Sequence, residues 1–411
     1  MKILNLSAYC YPEEIASSHM GRNKDEAFDR EGFYREIYTP TPTRGIDNKT
    51  YQKYKKIKHE ISDNGLTTIH RFSMIREGKS PIQRAFRYGL CWIKHLYYGL
   101  KAKDCDIVMI GSTPPIQGTL GAIIHKRRQI PFIYVLQDIF PDSLVGTGLA
   151  KKGGFLWKIG RFIENYTYSN ADKIIVISQD FKRNIMAKGV PEEKIEVIYN
   201  WVDEEDVVDI PRIDNKLFTK YNLDTSKFYI TYSGNIGMTQ NMDMLLEVMG
   251  ELKTEEPDIR LVLIGEGAYK EQVEKLINEK HLANVSLLPF QPYEDISQVF
   301  SLGDAGLVIS KPGVGANSVP SKTWSIMSAS RPVLANFDEN ELKSIIEDNH
   351  CGIFTKAGDK EAFKASIIRL YKQPDLCKEY GKNGRQFILN NLTKDVGTQK
   401  YVDVIKSFEK K

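Results

Sequence analysis

The chain has 411 residues, 41% hydrophobic and 27% charged, with a net charge of +4; that length exceeds one ordinary hydrophobic core, so two domains are expected. Five scattered cysteines without a CxxC pair argue against a disulfide frame or a zinc site, and no run approaches the ~20 apolar residues of a membrane span. Residues 1–200 hold 31 Lys and Arg against 21 Asp and Glu, leaving that half at +10 and the remainder at −6, so an anionic surface or ligand is expected on the first side.

In chain order, MKILNLSAYCYP predicts a buried strand over 2–8 running into a turn, and its short apolar run has no cleavage signature of a signal peptide. The loop behind it carries Glu14 and His19. A helix is expected to about residue 30, a strand over 36–39, an exposed basic loop over 39–58 and a strand over 67–73. Residues 80–104 predict a strong helix, with Ile82, Phe86, Leu90, Ile93, Tyr97 and Leu100 at helical spacing and Arg84, Arg87, Lys94 and His95 between them. The stripe predicts packing on a sheet. The alternative is a helix that also lies against anionic lipid, with aromatics at headgroup level.

Near-continuously apolar strands then alternate with helices, at 107–111, 132–137, 173–178 and 196–199, which is the mark of a parallel sheet covered on both faces. Asp104-Cys105-Asp106 imitates a metal-binding Asp-x-Asp but precedes its strand, away from a ligand crevice, so no metal is assigned there. Asp138 and Asp142 follow the strand at 132–137. Asp138 is read as an acceptor ligand or general base, with a helix cap or plain loop carboxylate as the alternative. The acidic stretch 200–211 reads as a linker. The pattern restarts with strands at 229–233, 260–264, 285–288, 306–309, 333–337 and 352–354, and one or two helices follow residue 378. The expected fold is α/β with two doubly wound, Rossmann-like domains: 1–205, 206–390, and a helix over 391–411 with packing back on the first domain as one option.

The stretch 310–335, SKPGVGANSVPSKTWSIMSASRPVLA, carries the sharpest signal. A strand ends in a loop with Gly313 and Gly315. A helix follows near 318–320, with Asn317 or Ser318 as N-cap and Pro320 in the first turn. Lys322 would oppose the helix dipole at a cost of a few tenths to ~1 kcal/mol. Placed at a strand's carboxyl end, it points to an anion site, with phosphate as the anion; the alternative is a solvated surface lysine. Glycine turns at 234–237, 265–267 and 313–315 fall on strand ends of the same sheet, which suits a nucleoside diphosphate.

These residues resemble a family. Leu263-Ile264-Gly265-Glu266-Gly267, Ser318-Val319-Pro320-Ser321-Lys322 and Arg331-Pro332-Val333-Leu334-Ala335 look like the donor half of a GT-B glycosyltransferase of family 4. The first half agrees, through Pro131-Phe132-Ile133-Tyr134, Gln137-Asp138-Ile139-Phe140-Pro141-Asp142-Ser143 and Val197-Ile198-Tyr199-Asn200. The resemblance covers nearly the whole chain and is closest to the branch that builds bacterial capsule, O-antigen or exopolysaccharide. It implies two domains facing a central cleft, the first binding the acceptor and the second the nucleotide sugar. Two departures stand out. The family's pair of donor-site glutamates falls on Asn317 and Ser325, and its basic pair falls on Asn235 and Gln240.

The resemblance implies that Lys322, Lys311 and the N–H groups of the 234–237 turn neutralise the diphosphate. Asn317 and Ser318 would bond the sugar, and Ser325 would take part of the ribose contact. Gly234, Asn235, Gly237, Glu266, Gly313, Val319, Pro320 and Ser321 would complete the donor site. Asp138 and Lys322 are the catalytic candidates; Glu14, His19 and Asp142 are the acceptor candidates. The implied reaction is retaining transfer from a UDP-linked sugar, such as an N-acetylamino sugar, to a polyprenyl-diphosphate-linked saccharide, with no metal and no further cofactor required. The site of action would be the cytoplasmic face of the plasma membrane, with the basic first domain against anionic headgroups. Nucleic acid is a poor fit, since no recognition motif is present. Two rivals share the fold: a UDP-sugar 2-epimerase, and a non-catalytic nucleotide-binding subunit, for which the absent glutamates speak.

Overall fold

The computed structural model describes residues 1–13, 18–77, 80–146, 150–315 and 319–409. Glu14, Asn317 and Ser318 lie outside the described residues. The chain divides into two compact units, Met1–Tyr199 with Gly397–Lys411, and Asn200–Val396.

The first unit runs β1 (Lys2–Leu6), α1 (Ser18–Arg30), β2 (Tyr34–Pro40), α2 (Asn48–Lys56), β3 (His59–Ile61), β4 (Thr67–Phe72), α3 (Pro81–Lys101), β5 (Ile107–Gly111), α4 (Gln117–Arg128), β6 (Phe132–Leu136), α5 (Asp142–Gly146), α6 (Phe155–Asn170), β7 (Lys173–Val176), α7 (Gln179–Ala187) and β8 (Ile195–Val197). The sheet order is β3-β4-β2-β1-β5-β6-β7-β8, parallel except for the edge pair β3 and β4. β6 is buried along its whole length, because helices cover both faces of a parallel sheet. Strand order reverses between β1 and β5, which opens a crevice at their carboxyl ends.

Two expectations fail here for physical reasons. The basic loop over 39–58 holds a helix, α2, because the Asp47 carboxylate accepts the Thr50 N–H at 2.6 Å as an N-cap and three lysines in the last turn suit the dipole. The apolar stripe of α3 does not pack on the sheet. Ile82, Phe86, Ile93, Tyr97 and Leu100 are exposed, and the sheet-facing row is Arg87, Cys91, His95 and Gly99. Arg87 and His95 can be buried because the sheet edge offers them acceptors: Arg87 Nε donates to the Ile75 carbonyl at 3.2 Å and His95 Nε2 to the Tyr38 carbonyl at 3.1 Å. Burial holds His95 down to about 4, so the ring is neutral at pH 7. Gly99 admits Ile124, whose Cδ1 would lie 2.5 Å from a Cβ there.

The second unit runs α8 (Lys216–Lys220), β9 (Phe228–Ser233), α9 (Met242–Glu255), β10 (Ile259–Ile264), α10 (Lys270–Glu279), β11 (Val285–Leu288), α11 (Ile296–Phe300), β12 (Ala305–Ile309), α12 (Lys322–Ser328), β13 (Val333–Phe337), α13 (Glu341–Asp348), β14 (Gly352–Lys356), α14 (Lys360–Lys372) and α15 (Pro374–Asn391). Its six strands are all parallel, in the order β11-β10-β9-β12-β13-β14, and reverse direction of travel between β9 and β12. The stretch read as a linker is packed into this unit: Trp201, Val202 and Val207 are buried, and Val208 and Ile210 N–H groups donate to the Ser297 and Ser301 hydroxyls at 2.9 and 3.0 Å. Its acids are paired, Asp209 with Arg331 at 2.8 Å and Asp203 with Lys394 at 3.3 Å. The last helix, α16 (Lys394–Lys406), begins in the second unit and continues into the first, where Tyr401, Val402 and Ile405 are buried and Lys24 lies over the Tyr401 ring.

Candidate active site

The reversal between β9 and β12 sets the donor-side site. The loops after β9, β10 and β12 leave neighbouring strand ends, and α12 returns beside them. α12 starts at Lys322, later than expected, and its N-cap Ser321 makes no side-chain cap bond. With only seven residues it contributes little dipole, so the anion-site reading rests on the lysine itself.

Lys322 Nζ lies 3.6 Å from the centroid of the Tyr232 ring, a cation–π contact. No hydrogen-bond or ion-pair partner meets it among the described residues. Burial pushes its ammonium down to about 7. Gly234, at φ +133°, keeps that place open: a Cβ there would sit 3.1 Å from Lys322 Nζ. Tyr232 is held by its own hydroxyl, which donates to the Asn235 carbonyl at 2.7 Å.

A cavity of ≈ 230 Å3 opens beside Lys322, lined also by Thr239, Gln240, Ser310, Val314, Pro320 and Phe337. Ser310 is buried, and its hydroxyl has no hydrogen-bond partner among the described residues. Among the buried polar atoms without a partner, this one also lines the cavity, where a bound molecule could meet it. Sequence reading missed Ser310. Its place as the first residue past β12 was the available signal.

The backbone of the glycine turns is largely committed internally, which corrects the expectation that it cradles phosphate. Gly234 N–H donates to the Ile264 carbonyl at 3.0 Å, Ile236 N–H to the Glu266 carbonyl at 2.8 Å and Gly237 N–H to Gln240 Oε1 at 2.9 Å. Gly265 and Gly267 are required by this packing, since a Cβ at either would lie 1.9 or 2.2 Å from the Gly234 or Ile236 carbonyl oxygen. The N–H groups of Gly313 and Gly315 are taken by the Asp338 carboxylate at 2.9 and 2.7 Å, a partner not singled out from sequence. Asn235 is exposed. The Glu266 side chain is exposed and paired with Lys270 at 2.7 Å. Lys311 Nζ lies 5.7 Å from the Tyr269 ring centroid. Val319 and Pro320 are half-buried, Ser321 is exposed, and Ser325 is half-buried three residues after Lys322.

On the first unit, Asp138 follows β6. Its carboxyl is held above the ordinary range, first by the protein packed around it, against the opposing hydrogen bonds of Ser143 and the Ile139 N–H; the side chain still reaches the surface. Asp142 opens α5 and is ion-paired with Lys188 at 2.7 Å, which also holds buried Glu164 at 2.8 Å, so Asp142 is engaged structurally. His19 lies in the first turn of α1, half-buried. Its neighbour in the loop, Glu13, is the more embedded group: it is buried and accepts the Thr43 and Arg44 N–H groups at 2.7 and 2.8 Å. Asp106 caps the Lys2 N–H at 2.7 Å, the structural use of the Asp-x-Asp triplet.

Residues 214–387 match the family Glycosyl transferases group 1, and residues 26–206 match Glycosyltransferase Family 4. The putative colanic acid biosynthesis glycosyl transferase WcaI of Escherichia coli is 30% identical over 299 residues, covering 70% of this chain and 73% of that one. The chain belongs to the family 4 glycosyltransferases. Its fold is GT-B, as in sucrose-phosphate synthase from Thermosynechococcus elongatus, at TM-score 0.77 and 15% identity over 99% of this chain and 98% of that one. Anabaena HepE, solved in complex with UDP-glucose, aligns at TM-score 0.72 and 16% identity over 99% of this chain and 100% of that one. This glycosyltransferase therefore moves a sugar from a nucleoside-diphosphate donor, and is related to enzymes of bacterial surface-polysaccharide pathways. Lys322 stands beside the β9/β12 reversal, with Lys311 two residues past β12.

Proposed function

We propose that the enzyme transfers an N-acetylamino sugar from a UDP-linked donor, with retention of anomeric configuration, to a polyprenyl-diphosphate-linked saccharide at the cytoplasmic face of the plasma membrane. The observation that carries the donor half is the Lys322 ammonium, which meets no anionic partner among the described residues, beside a cavity that also holds the Ser310 hydroxyl, likewise without a partner among them. A leaving diphosphate supplies the missing anion, and a preorganised cation aimed at departing charge is the main demand of the reaction. The complex of HepE with UDP supports uridine as the base. In this reading Ser310, Ser325, Asn317 and Ser318 contact ribose and sugar. Asp138 orients the acceptor hydroxyl or takes its proton, a use that its raised proton affinity favours. The basic first unit meets anionic lipid.

The test is calorimetric binding of UDP, GDP and ADP, followed by transfer from a panel of UDP-sugars to a detergent-dispersed lipid-linked acceptor, with NMR of the product anomer. UDP is expected to bind in preference, and Lys322→Ala to weaken it by about 1–3 kcal/mol, the worth of a charge-assisted contact. Equal UDP affinity in Lys322→Ala would remove the donor site from this position. An inverted product would remove the retaining mechanism.

A further inference from the structure

α3 and α6 flank α4 in one layer. Trp92 Nε1 donates to Thr119 Oγ1 at 2.9 Å and Arg128 to the Gly99 carbonyl at 3.0 Å, tying α3 to α4. On the other side, Gly118 lies close against Thr167 of α6. Each flanking helix turns an apolar stripe to solvent. On α3, Ile82 and Phe86 are 80% and 62% exposed, followed along the same face by Ile93, Tyr97 and Leu100. On α6, Phe155 and Phe162 are 78% and 72% exposed, with Leu156 and Ile159 between them. These two stripes hold nine of the eighteen large hydrophobic side chains exposed among the described residues, a concentration that scattered surface residues do not produce.

Charge says what covers them. The three helices carry nine lysines and arginines, of which all but the buried Arg87 reach the surface, and one acidic residue, Glu164. Glu164 is buried against Lys188 and Arg161. Lys151 and Lys152, both exposed, precede α6. A second copy of this chain would bring the same positive charge to the same face. A bilayer containing anionic lipid satisfies both the charge and the apolar stripes. The placement fits as well. α3 is the helix that follows β4, and α6 comes after α5, which follows β6, the strand whose carboxyl end carries Asp138.

We propose that α3 and α6 insert their apolar stripes between the headgroups of an anionic bilayer, so that the contact is apolar insertion assisted by charge rather than charge alone. This deepens the membrane reading above and rests on it.

The test is flotation of the full chain with phosphatidylethanolamine–phosphatidylglycerol vesicles at about 0.1 M and about 1 M NaCl, where the screening length falls from about 10 Å to about 3 Å. Phe86→Ser/Phe162→Ser is run beside it; both positions are exposed, so folding is expected to survive, and UDP affinity reports that it has. Wild type is expected to stay bound in part at high salt, and the double variant to partition about tenfold or more weakly at both salts. Wild-type binding that disappears at high salt, or a double variant that binds as well as wild type, overturns insertion. So does an absence of vesicle binding accompanied by concentration-dependent dimers, which would assign the face to a second copy. The vesicles contain no acceptor. Failure of sugar transfer with vesicle binding intact counts against the proposed acceptor alone.

Discussion

Burial that makes the Lys322 ammonium give up its proton near pH 7 is a cost to the empty protein and an advantage once an anion arrives. A bound diphosphate raises the lysine's proton affinity, so binding above pH 7 requires proton uptake. UDP affinity is therefore expected to fall as pH rises from 7 to 9, by up to about tenfold per unit, and Lys322→Ala should flatten that fall in calorimetric titrations. Stability has its own sign. The folded lysine titrates near 7 and the unfolded one at its ordinary value, so the unfolded chain binds more protons between the two. The contribution of this group to stability rises with pH across that window and is lowest at pH 7 and below. Lys322→Met is expected to stabilise the empty protein at pH 7 by about 1–2 kcal/mol, after allowing for the part-exposure of the side chain, with the gain fading towards pH 10.5 in urea melts. Lys322 was legible because a cation after Pro-Ser at a strand's carboxyl end has few structural uses. Ser310 was not. An orphaned hydroxyl is a property of its surroundings, which one residue's identity does not carry.

At the scale of elements, the loop between β12 and α12 takes its shape from a residue on the next strand's exit. Asp338 accepts both glycine N–H groups, and Asn340 Nδ2 donates to the Gly315 carbonyl at 3.1 Å. Asp338→Ala is expected to cost about 1.5–3 kcal/mol in chemical denaturation and to raise the donor KM, because two charge-assisted bonds are lost and the wall beside Lys322 loosens. A smaller loss with unchanged KM would separate this loop from the site. The alternation of apolar strands with helices made both sheets readable, since parallel strands are apolar throughout and turn glycines mark their ends. α3 shows where that reading stops. Periodicity finds the stripe but not the side it faces. The acceptors that let Arg87 and His95 go inwards are the carbonyls of Ile75 and Tyr38, and the second lies 57 residues away in sequence. α2 was missed because Asp47 acts as a cap only when the next turn forms.

At the scale of the molecule, the second unit puts Lys322 and Gly234 beside its reversal of strand order at β9 and β12, whereas Asp138 of the first unit follows β6, one strand away from the reversal between β1 and β5. The first unit is not finished by its own stretch of chain. It takes in Tyr401, Val402 and Ile405 from α16, and Lys406 pairs with Glu31, the residue just past α1. Removing residues 397–411 is expected to raise amide hydrogen exchange in α1 while leaving β9 to β14 protected, since the second unit lies wholly within Asn200–Val396. Equal deprotection of both units would show that they unfold as one.

That interleaving has a consequence for biosynthesis. The second unit is one unbroken stretch, residues 200–396, and needs no chain from outside it to close. The first unit leaves the ribosome earlier but waits, with a gap beside α1, until the tail emerges. The half translated first is thus the half completed last. Through that delay the apolar surface that Tyr401, Val402 and Ile405 cover in the finished unit stands open to chaperones.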